Sequence, residues 1–363
     1  MRIAVAALLA CLPRAPALAA QASPPATLDI YAIDTEGGQA TLYVTPSGQT
    51  VLVDTGNPGG RDADRIAEVL AAAGVDRIDF LLLTHYHVDH AGGLLELAER
   101  VPIRHFVDHG PSVEPNEPVP GFHQVYARLR ASARHIQVKP GDRLPVQGLD
   151  WHIVAAGGQV LPAPLPGAGT PNPRCPAAPA QKSAAGANDE NAQSVGSLIV
   201  FGKFRTINLG DLLTEQELEL VCPLDRIGAV DLYLTSHHGL ASSGSEALLH
   251  ALRPRVAIMN NGTRKGGSVQ AFQILHRMPG LEDLWQLHWS HNAGLEHNAP
   301  GLFIANLDDP ATAASVLTGA ARTTRPAPHT GPAYTIKVSA RADGSFTVTN
   351  TRNGFTKAYG PGR

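Results

Sequence analysis

Three cysteines in 363 residues are too few for a disulfide-built scaffold. An excess of one charge is also missing: 29 Lys and Arg face 32 Asp and Glu, for a formal net charge of -3. That balance provides no basic stripe for a nucleic acid and no polybasic patch for a membrane surface. No apolar run approaches the ~20 residues that a membrane-spanning helix needs, and the chain shows no internal repeat. Abundance lies elsewhere, in 36 glycines, 29 prolines and 16 histidines. The first two predict many turns and a long irregular insertion. Imidazole is the commonest metal ligand, so the third points to metal or proton chemistry.

Residues 1–19 have the pattern of a signal peptide. Met1-Arg2 supplies a positive charge, residues 3–12 form a short apolar run, and Ala17-Leu18-Ala19 is a small-x-small cleavage site. The expectation is a secreted or periplasmic protein cut near Ala19, with a lipoprotein box at Leu8-Leu9-Ala10-Cys11 as the alternative. Export leaves Cys175 and Cys222 in an oxidising compartment, where they either pair or stay free.

Residues 25–363 are expected to form one domain. Strand-like runs at 28–31, 40–44 and 50–53 are followed by helical spacing over 61–73, with Ile66, Val69, Leu70 and Ala73 on one face. A run at 78–83, apolar apart from Asp79, suits a strand buried on both faces. Further strands are expected at 103–107, 197–201, 205–209, 229–234 and 256–259, with a closing hairpin over 334–349. Strands that alternate with helices imply α/β layering. Residues 157–193 turn sharply to Pro, Ala, Gly and Asn, which predicts a long loop or lid, with a disordered surface insertion as the alternative.

The chemistry gathers where strands end. His85-Tyr86-His87-Val88-Asp89-His90 follows the apolar run directly and precedes Gly92-Gly93. In an extended segment His85 and His87 project to one side and can share an ion. The turn at Asp89-His90 aims two more donors at a neighbouring position. Nitrogen and oxygen donors in this mixture suit zinc first, then manganese or iron.

With Thr84 before it and Ala91-Gly92-Gly93 behind it, this segment resembles the signature of the metallo-β-lactamase-fold hydrolases. Asp54-Thr55-Gly56, Gly210-Asp211 and Ser236-His237-His238-Gly239 follow in that family's order. Within the superfamily, Asp34…Gly37-Gly38-Gln39-Ala40, Asn191…Ser194 and His237-His238-Gly239 look like the DNA-uptake competence proteins and their stand-alone secreted relatives.

The resemblance implies a four-layer αββα sandwich of two mixed sheets with outer helices, and two divalent ions, zinc first. It makes Asp54 a carboxylate that orients an imidazole, Asp211 the carboxylate between the ions, and His237 or His238 the last ligand. The full implied metal set is His85, His87, Asp89, His90, Asp211, His237 and His238, with Asp89, Asp211 and His238 catalytic.

One departure stands out. Where many members carry a third histidine for the first ion, this chain has Asn188-Asp189-Glu190-Asn191. Asn191 is read as a weak ligand, a substrate contact or an ordinary residue ahead of a hairpin. His109 is read as a surface-loop histidine. Trp289, His291 and His297 wall a pocket or simply pack in their loop.

The expected function is that of an exported hydrolase using a hydroxide held by two metals, on a small-molecule phosphodiester before a lactone or β-lactam. A non-catalytic metal-binding protein is the remaining alternative. Without a basic run, a small diester or lipid head group fits better than a nucleic acid.

Overall fold

The computed structural model describes residues 26–177, 188–307 and 332–362. The signal-peptide expectation for 1–19 and the Cys11 alternative lie outside these residues, as do residues 178–187 of the insertion.

Two sheets form the frame. The first contains β1 (Leu28–Ala32), β2 (Thr41–Val44), β3 (Thr50–Val53), β4 (Ile78–Leu82), β5 (Ile103–Asp108) and β6 (Arg134–Gln137). The second contains β7 (Arg143–Leu144), β8 (Asp150–Ala156), β9 (Gln159–Val160), β10 (Gly196–Phe201), β11 (Phe204–Asn208), β12 (Leu232–Leu234), β13 (Val256–Met259), β14 (Asp283–His288) and β15 (Ile304–Asn306). The chain then returns to the first sheet with β16 (Ile336–Ala340), β17 (Phe346–Asn350) and β18 (Thr356–Tyr359).

The first sheet runs β18-β17-β16-β1-β2-β3-β4-β5-β6, and the second runs β15-β14-β13-β12-β11-β10-β8-β7 with β9 beside β8. Each changes from antiparallel to parallel pairing partway across: after β3 in the first and after β11 in the second. Parallel pairs need crossover connections. These carry α1 (Arg61–Ala72), α2 (Val88–Ala91), α3 (Leu94–Arg100) and α4 (Phe122–Ala131) on one side. On the other lie α6 (Thr214–Val221), α7 (Glu246–Leu252) and α8 (Val269–Arg277), after the short α5 (Glu190–Gln193).

Burial follows the layers. Val51, Phe80 and Val107 of the first sheet meet Trp151, Ile199, Leu232 and Ile258 of the second in one central core. The outer face of the first sheet packs Leu81 and Phe106 under Ile66, Leu70, Leu97 and Phe122. The outer face of the second packs Ile207, Tyr233 and Ala257 under Leu220, Leu248 and Leu275. β4 is buried along its whole length because both its faces are covered. The result is the expected αββα sandwich.

Three expectations change. The strand expected over 229–234 shortens to β12, and the closing hairpin gains a third strand, β18. The insertion is no free lid in its described part. β9 pairs with β8, and Leu161 is buried. Asn172 is buried too, and its side-chain amide donates to the carbonyls of Val221 (3.2 Å) and Ala247 (2.9 Å). Cys175 and Cys222 are disulfide-bonded across a separation of 47 residues. A Pro- and Gly-rich segment builds no element of its own, but backbone hydrogen bonds and one cross-link can still pin it to a neighbour.

Candidate metal centre

Ligands of open α/β sheets lie outside the carboxyl ends of the strands, and the functional side chains gather there. β3 ends in Asp54, β4 in Thr84-His85, β11 in Asp211, β12 in His237-His238 and β13 in the loop leading to Lys265. Asp54, His237 and His238 all have positive φ (61°, 51° and 55°), a conformation that costs a side-chain-bearing residue about 1–3 kcal/mol. The surrounding hydrogen bonds hold them there.

Four buried residues form the inner group: Asp89, His90, Asp211 and His238, whose donor atoms all lie within 4.8 Å of one another. His90 Nε2 lies 3.2 Å from His238 Nε2, 3.2 Å from Asp211 Oδ2 and 3.3 Å from Asp89 Oδ2. His238 Nε2 lies 3.3 Å from Asp211 Oδ2 and 3.2 Å from Asp89 Oδ2. Metal–donor bonds of about 2.0–2.1 Å in a tetrahedron put neighbouring donors about 3.3 Å apart. The residues therefore fit a cation. Asp211 Oδ1, buried and without a hydrogen-bond partner, leaves acceptor capacity for another.

A second pair lies alongside. His85 Nε2 is 3.1 Å from His87 Nδ1. The outer nitrogen of His87 points away, 3.3 Å from Glu114 Oε1, so Glu114 fixes the ring with Nδ1 inward. His85 Nδ1 contacts Thr84 Oγ1 (3.0 Å) and Ser194 Oγ (3.4 Å). The side-chain oxygen of Asn191 is buried without a hydrogen-bond partner.

Asp54 stands behind His90, accepting from Nδ1 at 2.8 Å and from the Thr84 amide and hydroxyl at 2.7 Å each. This is the orienting contact that metal-binding imidazoles usually make.

Electrostatics match the geometry. Burial raises the Asp54 carboxyl above its usual range, against the pull of His90 and Thr84. Burial also opposes charge on His90, yet Asp211, Asp89 and Asp54 outweigh it and push the imidazole well up. Asp89 and Asp211 are held well below the usual carboxylate range despite burial, by His90 and His238. Two carboxylates that shed protons beside two imidazoles that retain them mark a place where positive charge is stabilised. His85 goes the other way: burial and the neighbouring His90 keep it neutral and its lone pair available.

The adjacent histidines lie on no strand. They occupy a left-handed turn, so strand alternation does not govern them. His238 enters the inner group, whereas His237 reaches its edge, with Nε2 3.4 Å from Asp211 Oδ2. Its Nδ1 is tied to Ser242 Oγ at 3.0 Å.

His109 is not on the surface. It is buried, with Nε2 3.1 Å from Glu190 Oε2. Glu190 also accepts from the amides of Tyr86 (3.0 Å) and Val113 (2.7 Å), tying α5 to the histidine-rich turn. His297 stacks edge-on to Phe272 at 5.6 Å, as ordinary loop packing.

Sequence reasoning missed Glu114, Glu190 and Lys265. The strand expected at 256–259 leads into the loop that carries Lys265. Glu114, the partner of His87, also lines a cleft of about 470 Å³, with Ser112, His123, Arg130, His135 and Gln137 in its wall.

Residues 34–173 match the family model described as the metallo-beta-lactamase superfamily. The chain is 27% identical to ComE operon protein 3 of Bacillus subtilis over 198 residues, which are 53% of this chain and 21% of that protein. It is 26% identical to Recombination protein 2 of Haemophilus influenzae over 255 residues, 69% of this chain and 26% of that one. A metal-dependent hydrolase of Staphylococcus saprophyticus is 38% identical over 63 residues, 17% of this chain and 25% of that protein. The chain thus spans about a quarter of the length of these curated relatives. The matched motif, the paired sheets and the donors gathered at the strand ends agree: over residues 34–173 the chain is similar to the metallo-beta-lactamase superfamily.

Proposed function

We propose that the chain is an exported, metal-dependent hydrolase of small phosphodiesters. The observation that carries this reading is the 3.2–3.3 Å spacing of His90 Nε2 and His238 Nε2 from each other and from Asp89 Oδ2 and Asp211 Oδ2. These four would hold one divalent ion, zinc by the chemistry of the donors. His85 Nε2, His87 Nδ1 and Asp211 would hold a second, with the Asn191 oxygen as a weak fourth donor. Bound there, such ions act as Lewis acids and activate a water for attack near neutral pH.

The chain's own residues supply the remainder. Asp54 and Glu114 fix the rings of His90 and His87. Burial lowers His237, so it is neutral at pH 7 and able to accept a proton, and Ser242 fixes its orientation. In the proposed reaction the water oxygen joins phosphorus and the bond to the leaving oxygen breaks. His237 takes the water's proton and delivers it to that leaving oxygen.

The name of the Staphylococcus saprophyticus relative supports hydrolysis with a metal. The net charge of -3 favours a small diester over a polymer. The Cys175–Cys222 bond supports an oxidising compartment.

Turnover of bis-p-nitrophenyl phosphate, a chromogenic cephalosporin and an acyl lactone by the zinc-loaded protein tests the reading. Hydrolysis of the diester is expected. Activity confined to the cephalosporin or the lactone overturns the phosphodiester assignment. Purified protein that binds no transition metal overturns the hydrolase.

A further inference from the structure

The candidate centre carries a cation of its own. Lys265 Nζ donates to Asp89 Oδ2, a member of the inner donor group, while its side chain stays 41% exposed. Its charge also bears on both His237 and His238.

The contact does not come from a loosely placed surface lysine, because the turn around it is tightly built. Gly262 N–H donates to the Lys265 carbonyl at 2.9 Å, and Gly267 N–H donates to the His238 carbonyl at 2.9 Å. The Asn292 amide donates to the Arg264 carbonyl at 2.7 Å. Ser268, immediately after the turn, caps α8 through the Ala271 amide at 3.2 Å. Gly266 has φ +72°, and a Cβ there would stand 2.1 Å from the His238 carbonyl oxygen, so only glycine lets the turn close over the histidine. Across the turn, a Cβ on Gly37 would fall 2.7 Å from Lys265 Cβ. The backbone is locked, and the freedom lies in the half-exposed end of the lysine.

An ammonium held against a carboxylate that also faces a divalent cation is electrostatically unfavourable for that cation, since like charges a few ångströms apart repel. The arrangement becomes favourable once an anion lies between the two. Lysine suits that role as a compact point charge on a flexible stem.

We propose that Lys265 forms an anion-holding position over the metal centre, which takes a non-bridging phosphoryl oxygen of the substrate and of the phosphomonoester product. This rests on the phosphodiester reading and names the part of the substrate that the chain itself grips. Lys265 is a positioning residue: it leaves Asp89 for the incoming oxygen and holds the phosphoryl group toward His237.

The test uses the full mature chain with Lys265→Gln and Lys265→Arg variants. Zinc affinity is measured by chelator competition, and inorganic phosphate affinity by calorimetry on the zinc-loaded protein. For Lys265→Gln, phosphate affinity is expected to fall at least tenfold while zinc affinity is unchanged or higher. KM for bis-p-nitrophenyl phosphate should rise more than kcat falls. Lys265→Arg should restore most of the phosphate affinity.

Unchanged phosphate affinity in Lys265→Gln overturns the proposal, as does a parallel loss of zinc affinity in both variants, which would make the lysine structural. Because the phosphate arm needs no turnover, a wild type inert towards diesters would sink the phosphodiester reading and leave the lysine's role to be judged by phosphate binding.

Discussion

Asp54 shows how a single side chain can be costly alone and useful in company. It is buried with a left-handed backbone, and its carboxylate would be penalised by several kcal/mol without partners. His90 and Thr84 satisfy it, and in return the His90 ring is fixed with Nε2 facing the inner group. Asp54→Asn should therefore lower zinc affinity about 10–100-fold while leaving the far-UV circular dichroism unchanged. Chelator competition checks this; wild-type affinity in the variant would mean that the ring is held by other contacts.

Glu190 gives a pH prediction with a definite sign. Burial would raise its pKa, but the His109 hydrogen bond and charge, with the Val113 and Tyr86 amides, hold it down from 4.5 to about 2. A depressed carboxyl stabilises the fold fully above about 4.5, and that contribution fades as the pH falls towards 2. The shift corresponds to about 3 kcal/mol. Urea unfolding between pH 5 and pH 2 should show the wild type losing more stability than Glu190→Gln by roughly that amount; equal losses would refute the assignment. His85, His87, Asp89 and His90 were legible in the sequence because they fall within six residues. Glu190 was not, since its partners Tyr86 and His109 lie 104 and 81 residues away.

Elements place these groups through their ends. β4 is buried throughout and apolar except for Asp79, so its polar successors emerge together at the sheet edge. That much follows from hydrophobic pattern. The segment after β9 does not, because its composition disfavours structure and yet it is anchored. Its carbonyls and amides bond to residues next to α6, and Cys175 is joined to Cys222 just past that helix. In the chain-entropy account a bridge closing 47 residues contributes about 4 kcal/mol. Cys175→Ser should lower stability by up to that much, read from urea unfolding under oxidising conditions, and dithiothreitol should then have no further effect. A wild-type midpoint in the variant would show that the hydrogen bonds of Asn172 suffice.

Across the whole molecule the donors come from both sheets. His85, His87, Asp89 and His90 follow β4 in one, while Asp211 and His238 follow β11 and β12 in the other. An ion among them would join the two layers at their open edge. Binding the native state alone, zinc at 100 times its Kd would add about 2.7 kcal/mol. Calorimetry should show Tm falling by several degrees on exhaustive chelation and recovering with added zinc; an unchanged Tm would mean that no ion bridges the layers. The C-terminal strands matter equally here: β16 returns to pair with β1, so the sheet that positions Asp54 is completed by residues more than 300 positions later.

Local pattern was enough to mark the strand ends, the histidine-rich turn and the candidate carboxylates, because each depends on neighbours within a few residues. It could not join Lys265 to Asp89, 176 residues apart, or His238 to His90, 148 apart. Those contacts depend on how two sheets pack and register against each other. Such packing is fixed by burying Trp151, Phe80 and their neighbours in a shared core, and spacing along the chain carries no trace of it.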